Sequence, residues 1–180
     1  MKETRDVRIL LHNIRSVYNV GAIFRTADAV GIGGAGRIYL TGYTPTPLDR
    51  FGQPRADFAK CALGAEKTMA WEYAKTPAAL ITRLKKDGFR VVAVEQSKDS
   101  VDYKKALFLR VAAHKNNKVL VIFGNEISGV SKSILEKADV IAEIPMRGKK
   151  ESLNVSVSAG IVLFRWFDRP ELGPNTLSHR

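Results

Sequence analysis

The sequence holds a single cysteine, Cys61, in 180 residues, which excludes an internal disulfide and a cysteine-based zinc cluster. Its three histidines, His12, His114 and His179, are too far apart for metal-site spacing, so no metal is expected. No apolar run approaches the ~20 residues that a bilayer span needs, and the N-terminus lacks a signal-peptide pattern. A cytoplasmic protein with no membrane attachment is the expectation. Tandem repeats are absent. Acidic residues are also scarce: 18 Asp and Glu stand against 29 Lys and Arg, a formal charge of +11. Such an excess favours a polyanionic partner, nucleic acid first and an acidic membrane surface second. The plainer alternative is a solubility surface. The cations occur in small groups, at 84–86 and 147–150, rather than in a detached tail, which reads as a basic face on a folded domain.

What is present is a globular composition, 45% apolar and 26% charged, long enough to bury one core. VRILLHNI (7–14), RIYLTG (37–42), FRVVAVEQ (89–96), KVLVIFG (118–124) and VIAEIPM (140–146) read as strands. Between them, 19–31 has helical spacing, with Asn19 as a candidate N-cap and Gly31 as a stop. Thr76-Pro77 opens a second helix that ends at Gly88, a short one is expected near 131–138, and 153–167 is the longest. In that last segment Val155, Ala159, Val162 and Trp166 recur at i, i+4, i+7 and i+11, one core-facing stripe. Strands alternating with helices predict an α/β fold, a single domain with a mostly parallel sheet flanked by helices. The domain is placed at 1–170, and 171–180 reads as a flexible tail. Residues 42–56 form a long loop with three prolines and two glycines, a kind of loop that is more often functional than not.

GIGGAG at 31–36 fits G-x-G-x-x-G, but a helix precedes it and a strand follows. A dinucleotide site needs the reverse order, so that pyrophosphate meets a helix N-terminus. The run reads as a helix-to-strand turn, and a nicotinamide enzyme is not expected.

Three clusters of polar residues and glycine stand where strands end. NIRSVYNVGAIFRTADA (13–29) carries Asn19, Arg25, Thr26 and Asp28, which a plain reading makes a cap, an exposed cation and its partner. FGNEISGV (123–130) offers turn amides beside Glu126, either a ligand-binding turn at a strand's carboxyl end or an ordinary one. In IPMRGKKESLNVS (144–156), Ile144, Met146 and Leu153 could wall a flat apolar group. Ser152 alone could be a cap for the long helix. Capping does not account for Ser152, Asn154 and Ser158 together.

Taken together, NVGAIFRTADA (19–29), FGNEISGV (123–130) and IPMRGKKESLNVSVSAG (144–160) resemble the three motifs of the SpoU/TrmH branch of the SPOUT superfamily of RNA methyltransferases. The resemblance spans 7–167. It implies a C-terminal deep trefoil knot, a homodimer, and methyl transfer from S-adenosylmethionine to a ribose 2′-hydroxyl of tRNA or rRNA, with no DNA substrate. By position it implies catalytic roles for Asn19, Arg25, Glu126, Ser152 and Asn154. It places cofactor contacts at Glu95, Gln96, Gly124, Asn125, Ile144, Met146 and Leu153, and RNA contacts at Arg15, Arg147, Lys149 and Lys150. The dimer would bring the first motif to the cofactor site. In the second motif Ile127 stands where the pattern has glycine, an expected alteration of that turn.

An arginine, with a pKa above ~12, is a poor base, so a bidentate clamp on a neighbouring phosphate is the physically preferred role for Arg25. Two other functions fit the same scaffold: a non-catalytic RNA-binding or ribosome-assembly protein, and methylation of a base instead of the ribose.

Overall fold

The computed structural model describes residues 6–33, 36–110 and 118–167. Strands β1 (Asp6–His12), β2 (Arg37–Thr41), β3 (Trp71–Tyr73), β4 (Arg90–Val94), β5 (Val101–Asp102), β6 (Lys118–Phe123) and β7 (Val140–Glu143) share one sheet. The order is β3-β2-β1-β6-β4-β7-β5, and all six pairings are parallel. The described helices are α1 (Val17–Ala29), α2 (Ala56–Ala62), α3 (Ala65–Thr68), α4 (Pro77–Lys86), α5 (Tyr103–Arg110), α6 (Lys132–Leu135) and α7 (Val155–Phe167).

Parallel strands covered on both faces read as unbroken apolar runs, and alternate residues part to opposite sides. Ile9, Leu11, Val92, Val121 and Phe123 face a core built with Val20, Ile23 and Phe24 of α1, Phe58 of α2, and the Val155, Ala159, Val162 and Trp166 stripe of α7. The α7 stripe expected from its spacing is thus the one that is buried. Leu10, Val91, Ala93, Leu120 and Ile122 face the other core, closed by Leu80, Ile81 and Leu84 of α4 and Ile134 of α6. The rings of Phe24 and Phe58 meet edge to face at 5.1 Å and join α1 to α2.

The expected α/β class is the observed one, with several shifts of boundary. Asn19 does not cap α1: Ser16 does, its hydroxyl accepting from the Asn19 N–H at 3.3 Å. Ser152 does not cap α7 either. That cap is Asn154, whose Oδ1 accepts from the Ser156 N–H at 2.8 Å. The strand expected over 140–146 leaves the sheet after Glu143, because Pro145 has no N–H for a ladder. Residues 31–33 lie between α1 and β2, the expected turn, while 34–35 of that glycine run and the tail 171–180 lie outside the described residues. The strands β3 and β5 and the helices α2, α3 and α5 were not expected.

Strand order positions the site. β6 lies between β1 and β4, and β7 between β4 and β5, so the last two strands are inserted between earlier ones. All carboxyl ends point the same way, and the ends of β4, β6 and β7 enclose a cleft. Among the described residues no helix is long and apolar enough to cross a membrane.

Candidate active site

The turn after β6 forms one wall of the cleft. Asn125 and Gly129 exchange backbone hydrogen bonds at 3.0 Å each way, and the Asn125 Oδ1 accepts from the N–H groups of Ile127 and Ser128 at 2.8 Å. Both glycines are required sterically. A Cβ on Gly124 would run into the main chain of Gly129, and Gly129, at φ 66°, lies against the Glu95 carboxylate. Ile127 has no left-handed backbone, so the turn closes without a glycine there, and its side chain stands 81% exposed.

Glu95, at the end of β4, pins this turn: one carboxylate oxygen accepts from the Val130 N–H at 2.7 Å, the other from the Gln96 N–H at 2.8 Å. The Gln96 amide donates to the Glu151 carbonyl at 2.6 Å and so ties the end of β4 to the loop that follows β7. Val94, Ile144, Met146 and Leu153 supply the apolar lining, and Glu143, Glu151, Ser152 and Ser158 polar groups, around a volume of about 360 Å³. That size lies within the ~300–1,000 Å³ of small-molecule sites. Apolar surface beside several carboxylates suits an organic cation with a flat ring. Among the described residues no cluster of His, Cys, Asp and Glu could hold a metal ion.

The three sequence clusters meet at the lip of this cleft. The Glu126 carboxylate accepts from the N–H groups of Arg15 and Ser16 at 3.0 and 3.2 Å and from the Asn19 amide at 2.9 Å. The Asn19 Oδ1 in turn accepts from the Asn154 amide at 3.1 Å. Partial burial pushes the Glu126 carboxyl up, but the bonds from Arg15, Asn19, its own N–H and Ser16 outweigh that and hold it below the usual carboxylate range. Asn154 therefore does two things at once: its oxygen caps α7 and its nitrogen reaches α1.

Of the expected cofactor contacts, Glu95, Gln96, Gly124, Asn125, Ile144, Met146 and Leu153 all line the cleft, as do Glu126 and Ser152. The Asn125 side chain is engaged inside the protein, donating to the Asn13 carbonyl and the Tyr43 hydroxyl. Asn19 joins the second and third clusters within its own chain, with no second copy needed. Arg25 is exposed, six residues further along α1 and so on a different face, outside the cleft. Arg15, Arg147, Lys149 and Lys150 are exposed, and among the described residues none pairs with an acidic side chain. Sequence reasoning missed Glu143 and Glu151, although Glu143 stands at a strand's carboxyl end, where ligands of such sheets gather. It also missed Tyr43 as a residue, although the long 42–56 loop that carries it was singled out.

Fold and cleft define a class: an open, all-parallel α/β protein with a small-molecule site at the carboxyl ends of its central strands. Residues 6–164 match the SpoU rRNA Methylase family, and the chain belongs to it. It is 34% identical over 181 positions to the tRNA (guanosine(18)-2'-O)-methyltransferase of Thermus thermophilus, covering 94% of this chain and 82% of that enzyme. The TrmH/SpoU tRNA modifying enzyme of A. aeolicus superposes with a TM-score of 0.74 at 30% identity, over 92% of this chain and 75% of its own. An AdoMet-bound rRNA methyltransferase from Sinorhizobium meliloti gives a TM-score of 0.74 at 27% identity, over 92% of this chain and 57% of its own.

Proposed function

We propose that this chain is an S-adenosylmethionine-dependent RNA 2′-O-ribose methyltransferase acting on tRNA or rRNA. The observation that carries this reading is the bridge from Glu126 through Asn19 to Asn154, which ties three remote clusters together beside one cleft. The Thermus thermophilus relative, a tRNA (guanosine(18)-2'-O)-methyltransferase, supports ribose over base.

S-adenosylmethionine held there would supply a methyl group already made electrophilic by its sulfonium. Ile144, Met146 and Leu153 would pack its adenine, and Glu143 and Glu151 would face its positive charge. Backbone of the 124–129 turn would approach closely because its two glycines leave room. The protein's own work is then alignment, which contributes on the order of 7–11 kcal/mol, and raising the ribose oxygen's nucleophilicity, ~10²–10⁴ in rate.

Glu126, Asn19 and Asn154 hold one another, which suits them to positioning. Ser152, in the cleft wall with no hydrogen-bond partner among the described residues, is free to meet substrate. Arg25 would reach a cleft only in a second copy of the chain, as a phosphate clamp that orients the 2′-hydroxyl. Tyr18 of α1 at 60% exposed, with Val157 and Phe164 of α7 at 49% and 44%, supports such a homodimer. The insertion of β6 and β7 between earlier strands supports a trefoil knot at the C-terminal end. A lone free cysteine is in keeping with a cytoplasmic setting.

The test is to incubate the protein with total RNA and methyl-labelled S-adenosylmethionine, then digest to nucleosides. Labelled 2′-O-methylnucleosides are expected, lost in Arg25→Ala and not restored by Arg25→Lys. Label on a base would overturn the ribose assignment. No label, and no calorimetric heat with the cofactor, would leave an RNA-binding scaffold.

A further inference from the structure

Tyr43 follows β2 at the start of the 42–55 loop. The residue is 59% exposed. Its hydroxyl nevertheless points inward and accepts from the Asn125 amide at 2.9 Å, and Asn125 is only 8% exposed. That same Asn125 holds the N–H groups of Ile127 and Ser128 in the cleft wall. The Tyr43 N–H donates to the Asn13 Oδ1 at 3.4 Å, so backbone and ring tip are both held. Tyr73, 44% exposed at the end of β3, is tied in the same way, its hydroxyl donating to the Gly42 carbonyl at 2.8 Å. Two exposed tyrosines in succession are thus tied down by their hydroxyls, Tyr43 to the buried Asn125 and Tyr73 to the surface carbonyl of Gly42.

A ring fixed at both ends loses little further freedom when something lies on it. Nucleobases stack on such rings whatever their sequence, and unpaired RNA bases do so most readily. The excess charge of +11 supplies the long-range attraction for the phosphates that accompany them.

We propose that Tyr43 is a stacking platform for an unpaired base of the RNA, beside the nucleotide whose ribose enters the cleft. This rests on the RNA methyltransferase reading above. Because the Tyr43 hydroxyl bonds Asn125, the base on that ring is held in register with the cofactor turn.

The test compares wild type, Tyr43→Ala and Tyr43→Phe in binding fluorescein-labelled bulk tRNA and bulk rRNA across a salt series. Calorimetry with S-adenosylmethionine, circular dichroism and sedimentation accompany it. One stacked base is worth roughly 5- to 150-fold in affinity. Tyr43→Ala should therefore weaken RNA binding at least about fivefold, with the slope of log affinity against log salt unchanged, since stacking releases no counterions. Tyr43→Phe should stay within about twofold of wild type in RNA affinity, and any change in cofactor affinity from the lost hydroxyl bond to Asn125 should be equal in the two variants. Unaltered RNA affinity in Tyr43→Ala would overturn the proposal. So would equal losses in the Phe and Ala variants, which would reduce Tyr43 to an anchor for Asn125. A change in oligomeric state at constant RNA affinity would assign the ring to a protein interface and overturn it too. The methyltransferase reading fails separately, if wild type transfers no label.

Discussion

Two side chains set how the site region responds to acid. Glu126 is held below the usual carboxylate range, so its contacts are complete above the ordinary value of ~4.3 and are lost as pH falls through its lower folded value. His12 acts earlier. Burial lowers its pKa, and its neutral ring has a partner on each nitrogen, Thr41 Oγ1 at 2.8 Å and the Asn13 amide at 3.1 Å. A second ring proton would point at an amide N–H, which cannot accept it. The folded protein thus resists a proton that the unfolded chain takes up at ~6.5, so stability is whole above that pH and declines below it. Between about pH 6.5 and 5 the melting temperature of wild type should fall more steeply than that of His12→Gln. Parallel slopes in a thermal-melt series would show that His12 is not the cause.

At the scale of elements, the start of α7 separates stability from function. Asn154→Ala removes the cap, worth about 0.5–2 kcal/mol, and should lower the melting temperature by a few degrees, since about 1 kcal/mol shifts a chain of this size by ~2–4 °C. Asn154→Asp retains the capping oxygen but loses the amide that reaches Asn19. It should melt like wild type and still lose methyl transfer. Wild-type turnover in Asn154→Asp would show the bridge to be dispensable. The elements legible in the sequence were the strongly patterned ones: the continuous apolar runs of β1, β4 and β6 and the spaced stripe of α7. The three residues of β3, the two of β5 and the single turn of α3 are too short to carry a period.

For the whole molecule, charge and association govern behaviour. Replacing Arg147, Lys149 and Lys150 together by alanine should reduce the slope of log RNA affinity against log salt by about 2–3, the release expected of three phosphate contacts. An unchanged slope would make them ordinary solvated charges. In the proposed homodimer, Phe164→Glu on the exposed strip of α7 should shift sedimentation from dimer to monomer and abolish transfer while cofactor heat persists. A variant that remained dimeric would remove that strip from the interface.

The sequence by itself determined the class of fold, the buried stripes and the membership of the three clusters, because periodicity and glycine placement are local properties. It also showed that capping alone could not account for the polar residues at 152–158. It offered Asn19 and Ser152 as candidate caps where Ser16 and Asn154 serve, since Asn and Ser cap equally well and only the backbone path selects one. The tertiary structure decided that Asn154 meets Asn19 across 135 residues and that Asn19 meets Glu126 across 107. It also decided that Arg25, on the same helix as Asn19, stays outside the cleft. Those outcomes depend on β6 entering between β1 and β4, which sets the turn after β6 against the start of α1. Strand order is a long-range packing choice, and no local pattern of residues encodes it.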